Sequence, residues 1–365
     1  MPARIDILLP DLRPGGVERV RVILAREFAA RGHAVSWVLG RAEGALLAEA
    51  EAIGPVRTLE AARLRQAPAR LARHLRAHRP DALLAAMWPL TGLAVLGARL
   101  SRTGVPVTVS EHSDARRNPS IRGLHRRALP HLMPRLLRGA RARVAVSAGV
   151  RESMAVAGGL DPATIEVIHN PARALECPVP PAEDAATAAW RAAGTRLIAI
   201  GTLKPVKRFD LALEALARLA PARDAHLLIL GEGAERAALE AQAARLGLRG
   251  RVHLPGFRPE PARDLASADL FVLSSDHEGF GNVILDALQM GVPVISTDCL
   301  SGPAEILEGG RHGVLVPVGE AAALADGIAA ALDRDWDRAA LRARAADFSP
   351  GRAAEAYLRA MGLGG

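Results

Sequence analysis

Two α/β units in tandem, each a parallel sheet with helical crossovers, are what the sequence predicts, and three observations carry that expectation. Short β-branched or leucine-rich runs alternate with helical patterns along the chain. Its 365 residues exceed what one hydrophobic core usually serves. The alternation stops once, from Pro171 to about Gly194, where Pro171, Pro178, Pro180 and Pro181 share a stretch with acidic and alanine residues, and then restarts. That pause is the expected linker, 172–194. It separates a first unit over 1–171 from a second over 195–349, and a terminal helix over 350–365 is expected to cross back onto the first.

In the first unit, strands are expected at 4–10, 34–40, 55–59, 82–87, 106–112, 143–147 and 165–170. Between the first two, Val17, Val20, Ile23, Leu24 and Phe28 recur at helical spacing, so the chain opens as a βαβ unit. In the second unit, strands are expected at 196–201, 226–231, 251–255, 270–275, 293–298 and 313–318. Two Rossmann-like units follow. Open parallel sheets bind ligands beyond the carboxyl ends of their strands, so the loops after these strands are where chemistry belongs.

Composition excludes several classes. Half the residues are hydrophobic, but Arg, Gly and Pro break them into short runs, and no stretch of about 18 apolar residues exists to span a bilayer. The opening MPARIDILLP carries charge within its apolar run and lacks a small-residue cleavage site, which reads as a first strand rather than a signal peptide and predicts a cytoplasmic protein. Cys177 and Cys299 lie too far apart for a disulfide framework or a thiolate metal site. The net charge of +8 suits nucleic acid, an anionic membrane surface or an anionic small molecule. An aromatic content of 3 %, with one tyrosine, argues against nucleic acid, since single strands need stacking platforms. The excess charge is local: ten arginines fall between Arg116 and Arg151 with no Asp or Glu among them. Ile121, Leu124, Ala128, Leu129, Leu132, Met133, Leu136 and Leu137 keep one helical face there, and Pro130 and Pro134 are expected to kink or split it. A basic amphipathic helix of this kind rests on anionic lipid headgroups or is a solvated face over a core stripe.

Four loops carry candidate chemistry. Pro10–Gly16 leaves the first strand for a helix, and Gly15 and Gly16 let backbone approach an anion at the helix N-terminus; the spacing is not G-x-G-x-x-G, and an ordinary Gly-Gly turn fits equally. Ser110-Glu111-His112-Ser113 ends a strand with a carboxylate and an imidazole that can orient a sugar hydroxyl or move a proton, or else forms a cap. From Gly201 to Asp210 a strand-to-helix loop carries Lys204, Lys207 and Arg208, cations at the positive end of a helix dipole that call for an anion; Lys207 is placed to neutralise a leaving diphosphate. The fourth loop, from Ser274 to Asp286, is the most informative. Backbone N–H groups from Gly279 through Phe280, Gly281 and Asn282 to Val283 can cradle an anion or hydroxyls. Glu278 precedes the glycine turn and Asp286 follows eight positions later, two turns into a helix, which suits two ends of one nucleotide sugar. His277 has no cluster of metal-spaced ligands around it, so no metal is expected.

With these residues in place, the chain resembles the retaining family 4 glycosyltransferases, which adopt the GT-B fold. The resemblance runs in order through Gly15-Gly16-Val17-Glu18-Arg19, Glu111-His112, Val146 to Val150, Val167 to Pro171, Gly201 to Asp210, Glu278 to Asp286 and Ser301 to Leu307. It implies that Glu278 contacts the donor sugar near the reacting face and that Asp286, one methylene shorter than the usual Glu, binds the ribose. It further implies that Lys207 holds the diphosphate, where Thr202 replaces the family's Arg and Lys204 or Arg208 assists. Gly256 and Phe257 lie where the family meets the base. Glu278, Lys207 and His112 are thereby the implied catalytic residues, Gly16 joins the donor side, and Gly15, Glu111 and His112 form the acceptor side across a cleft. The implied reaction is metal-independent transfer, with no cofactor, from a nucleotide sugar, UDP in preference to GDP, to a glycan or lipid-linked acceptor. It would run at the inner membrane face, with Arg116 to Arg151 resting on lipid. An oxidoreductase or epimerase would need the dinucleotide fingerprint and a Tyr-x-x-x-Lys pair; Tyr357 lacks that lysine. A non-catalytic sugar-nucleotide-binding protein would have no need of Lys207 and Glu278.

Overall fold

The computed structural model describes residues 1–60, 64–113, 124–175 and 187–364; Cys177, residues 116–123 of the basic stretch and residues 176–186 of the expected linker lie outside that description. The chain divides into two compact units, one of residues 1–173 with 348–365 and one of residues 174–347.

The first unit holds a sheet of β1 (Arg4–Leu9), β2 (Ala34–Leu39), β3 (Val56–Thr58), β4 (Ala82–Ala86), β5 (Val107–Glu111), β6 (Ala142–Ala145) and β7 (Glu166–Val167), in the order β3-β2-β1-β4-β5-β6-β7. Every pairing is parallel. Helices cover both faces, so β1 and β4 are buried on both sides; β4 reads as an unbroken apolar run, and β1 as one interrupted by the buried Asp6. One face packs Ile5, Ile7 and Leu9 against Val20, Leu24 and Phe28 of the helix Gly16–Ala30 and Ala354, Tyr357 and Leu358 of the terminal helix Pro350–Met361. The other packs Leu8, Leu83 and Val109 against Ala94 and Val95 of the helix Leu90–Ser101. The terminal helix starts cleanly because Ser349 caps Arg352 N–H at 3.4 Å and Pro350 opens the first turn, and it stops at Gly362 in the left-handed region (φ 77°).

The second unit's sheet contains β8 (Thr195–Ile200), β9 (Ala225–Leu230), β10 (Val252–Gly256), β11 (Leu270–Leu273), β12 (Val294–Thr297) and β13 (Val314–Val316), in the order β10-β9-β8-β11-β12-β13, again all parallel. The strand order reverses between β1 and β4 in the first sheet and between β8 and β11 in the second. Chain leaving such neighbours goes to opposite faces and opens a crevice at their carboxyl ends.

Two expectations need correction. Pro130 and Pro134 neither split nor interrupt their segment, which is one helix, Leu124–Leu137. Spaced four residues apart they share one side of it, so the missing N–H groups fall together. The linker does not extend to 194. A short helix, Ala188–Arg191, belongs to the second unit, with Trp190 fully buried and its indole N–H donating to the Leu197 carbonyl at 2.9 Å. The large apolar side chain outweighs the alanine-rich composition around it.

Candidate active site

In the second unit the two loops that flank the switch point meet. After β8, residues 201–204 lead into a tight turn, Pro205–Lys207, and Arg208 adopts a left-handed conformation (φ 49°) before the helix Phe209–Leu219. After β11, Ser274 to Gly281 lead into the helix Asn282–Gln289. Because β8 and β11 pair directly, Lys207 Nζ reaches Glu278 Oε1 at 2.6 Å. Ser275 Oγ donates to the same oxygen at 2.6 Å, whereas Oε2 has no bonded partner among the described residues. The carboxylate is thus oriented through one oxygen and open at the other. Backbone bonds fix it further: Ser301 Oγ donates to the Glu278 carbonyl at 2.5 Å, Ser274 Oγ to the Lys207 carbonyl at 2.9 Å, and Asp276 N–H to the Val206 carbonyl at 2.9 Å. Cys299 lies buried beneath this loop. Burial, and then the negative charge of Glu278, push its thiol up to about 12, so it carries no thiolate.

Glycines let these loops close on one another. A Cβ on Gly302 (φ 91°) would lie 1.8 Å from the Phe280 carbonyl oxygen, and one on Gly233 would lie 2.3 Å from that of Leu203. Gly281 (φ 93°) turns the chain into the Asn282 helix, whose positive end faces the Glu278 loop. Phe280 is buried, Gly279 and Val283 are half-buried, and Asp286 is buried in the second turn of that helix. Thr202 is exposed, and so is Phe257, next to Gly256 (φ 101°) at the end of β10. Of the two expected helpers of Lys207, Arg208 pairs with Asp210 at 3.1 Å and Asp276 at 3.0 Å, and Lys204 is exposed. Sequence reasoning passed over Ser275 and Ser301, which hold Glu278, and Gly231-Glu232-Gly233 after β9; the glycine pair at a strand end was the available signal.

In the first unit the pair at the end of β5 does not act together. Strand alternation sends Ser110 and His112 to one face and Glu111 to the other. Glu111 does not face a crevice. It is buried, accepting the Trp88 N–H at 2.9 Å and the Thr91 hydroxyl at 2.8 Å, and so clamps the turn between β4 and the helix Leu90–Ser101. Burial pushes its carboxyl up to about 7, only partly offset by those two bonds. His112 is buried on the opposite side. Its Nε2 lies 3.1 Å from Arg21 Nη2 and 3.0 Å from Ser110 Oγ, and burial with the adjacent Arg21 charge keeps its pKa well below the usual histidine range. At Gly15, which caps the helix Gly16–Ala30, a Cβ would lie 2.1 Å from a Glu18 carboxylate oxygen. An acid therefore stands beside the Gly15-Gly16 turn, which makes the turn less of an anion cradle than its glycines alone suggested. Among the described residues no three His, Cys, Asp or Glu side chains gather as metal ligands, and no helix is long and apolar enough to cross a membrane.

Known proteins share this architecture. Residues 14–173 match the model of Glycosyltransferase Family 4, and residues 194–334 match that of Glycosyl transferases group 1. The chain is 36 % identical over 151 residues to the lipopolysaccharide core biosynthesis glycosyltransferase LpsE of Rhizobium meliloti (strain 1021), covering 41 % of this chain and 42 % of that one. It is 30 % identical over 185 residues to the lipopolysaccharide 1,6-galactosyltransferase of Escherichia coli (strain K12), covering 49 % of each. The aligned regions thus span less than half of those two relatives. Among solved structures, HepE of Anabaena, in complex with UDP and glucose, superposes with a TM-score of 0.78 at 22 % identity over 98 % of both chains.

Proposed function

Because this chain belongs to the family 4 glycosyltransferases and has the GT-B fold, we propose that it moves a sugar from a nucleotide donor, a UDP-sugar, onto a glycan or lipid-linked acceptor of a cell-surface polysaccharide or glycolipid, with retention at the anomeric carbon. The observation that carries this reading is the Lys207–Glu278 contact of 2.6 Å at the switch point of the second sheet. A diphosphate entering there meets the ammonium of Lys207, while the open oxygen of Glu278 accepts a sugar hydroxyl. In the reaction the anomeric carbon–phosphate oxygen bond breaks as the acceptor oxygen bonds to the same face of that carbon, and the acceptor's proton passes to the departing phosphate. Lys207 holds the charge that develops on the diphosphate, the role a metal ion fills in other transferases. Asp286 takes the ribose and Gly256 with Phe257 the base. UDP is taken over GDP on the UDP bound in the Anabaena neighbour, against the GDP-mannose dependence named for a Mycobacterium tuberculosis relative that is 31 % identical over 257 residues.

A panel of UDP- and GDP-sugars, read by thermal shift and by nucleotide release, tests the donor. A UDP-sugar should raise the melting temperature and be slowly hydrolysed; stabilisation by GDP-sugars alone would overturn the assignment. We also carry forward lipid contact through the stretch from Arg116 to Arg151 as part of this reading, together with a place at the inner membrane face. Flotation with liposomes containing phosphatidylglycerol should be strong at low salt and fade as salt screens the arginines, and failure to float at low salt would remove the membrane from the proposal.

A further inference from the structure

Among the described residues of the first unit, Arg21 is the one guanidinium with no exposed surface at all. It projects from the middle of the helix Gly16–Ala30 into the core, and among the described residues it has no carboxylate partner. Its Nη2 donates to Ser110 Oγ and faces His112 Nε2 at 3.1 Å, and its Cζ stands 5.0 Å from the ring centroid of Tyr357 on the terminal helix. Among the described residues Nε and Nη1 have no hydrogen-bond partner, and neither has the Tyr357 hydroxyl. A buried cation with no carboxylate beside it carries a desolvation cost that an apolar side chain of the same length would not. Packing alone therefore gives no reason for it to be there.

Its effect on His112 does. A guanidinium has only donors, so the ring nitrogen it meets, Nε2, must offer its lone pair. A second charge beside Arg21 in a buried site is disfavoured, so the ring is neutral and its single proton sits on Nδ1. That nitrogen is buried and has no acceptor among the described residues. We propose that Arg21 is a positioning residue: it fixes His112 as the Nδ1–H tautomer and leaves that N–H to be taken, once binding uncovers it, by a sugar hydroxyl oxygen of the substrate. His112 on this account is a permanent hydrogen-bond donor and never a titrating acid or base. Tyr357 lays its ring against the guanidinium, so the terminal helix takes part in holding the site.

The substrate half of this inference rests on the proposed transfer reaction; the tautomer half does not, and the tests keep them apart. Long-range proton–nitrogen correlation spectra of the full chain should show His112 protonated at Nδ1. In Arg21→Met the proton should move wholly or partly to Nε2, the melting temperature should hold or rise, and turnover should fall about 10- to 100-fold, as when a histidine loses the partner that fixes its tautomer. Arg21→Lys, which restores a donor, should recover the Nδ1–H pattern and part of the turnover. An unchanged spectrum in Arg21→Met overturns the inference whatever the donor proves to be. Should Arg21→Met not fold, the amide nitrogen of Asn stands near the Nδ1 position and that of Gln near Nε2. His112→Asn should then outperform His112→Gln in kcat/KM, and the reverse order sinks the proposal.

Discussion

Lys207→Ala and Glu278→Ala should each lower turnover by roughly a thousandfold while leaving the far-ultraviolet spectrum of both sheets intact. One preorganised group aimed at developing charge is typically worth about 10²–10³ in rate, and here each substitution also unsettles its partner. Without the ammonium, Glu278 keeps only Ser275 on Oε1; without the carboxylate, Lys207 loses the contact that aims its stem. The pair is partly open, with side-chain exposures of 22 % and 10 %, so screening holds the loss of stability to about 1–2 kcal/mol. Because both act on one event, the double variant should be little worse than either single one. Glu278→Gln separates the two roles: it can retain the Ser275 bond but not the ion pair. Transfer at the wild-type rate in either alanine variant would dismiss the site.

The second large effect concerns pH. Glu111 has its folded-state pKa raised from 4.5 to about 7, first by burial. Between those values the folded chain holds a proton that the unfolded chain has released, so stability falls as pH rises through that window and levels off above it. A shift of this size corresponds to at most about 3 kcal/mol. Glu111→Gln keeps one oxygen for the Trp88 N–H and an amide for Thr91, and it cannot ionise. Its melting temperature should match the wild type near pH 4.5 and exceed it near pH 8. Parallel curves for the two proteins across that range would show that Glu111 does not titrate there.

Much of this was legible in the residues because the strands that flank both switch points are largely buried and mostly apolar in sequence. The Lys207 and Glu278 loops could be placed from those strands alone, and β8 beside β11 then brings them together. What eluded the sequence depends on direction rather than type. Glu111 and His112 are neighbours, and a reading by proximity made them partners, although alternation along β5 separates them. Arg21 looked like one of many arginines. Its position was informative, since Val17, Arg21, Leu24 and Phe28 fall on one helical face, and a charge in that stripe marks a buried group that needs a reason. Trp190 was lost in an alanine-rich segment whose composition resembles a tether. The bond of Ser301 to Glu278 arises between loops that only the folded sheet brings together, and that of Ser275, three residues away, depends on how the loop turns.

The return of the last helix has a consequence for how the molecule can be taken apart. The first unit is written in two pieces of sequence, and the second is an insertion between them. The chain leaves and re-enters the first unit at one point, where Ala172 N–H donates to the Phe348 carbonyl at 2.8 Å. The second unit is thus a cassette with both ends at a single seam. Trading it for another unit of the same fold means two cuts at adjacent places, whereas cutting once between residues 174 and 347 leaves the first unit without the helix that covers Arg21.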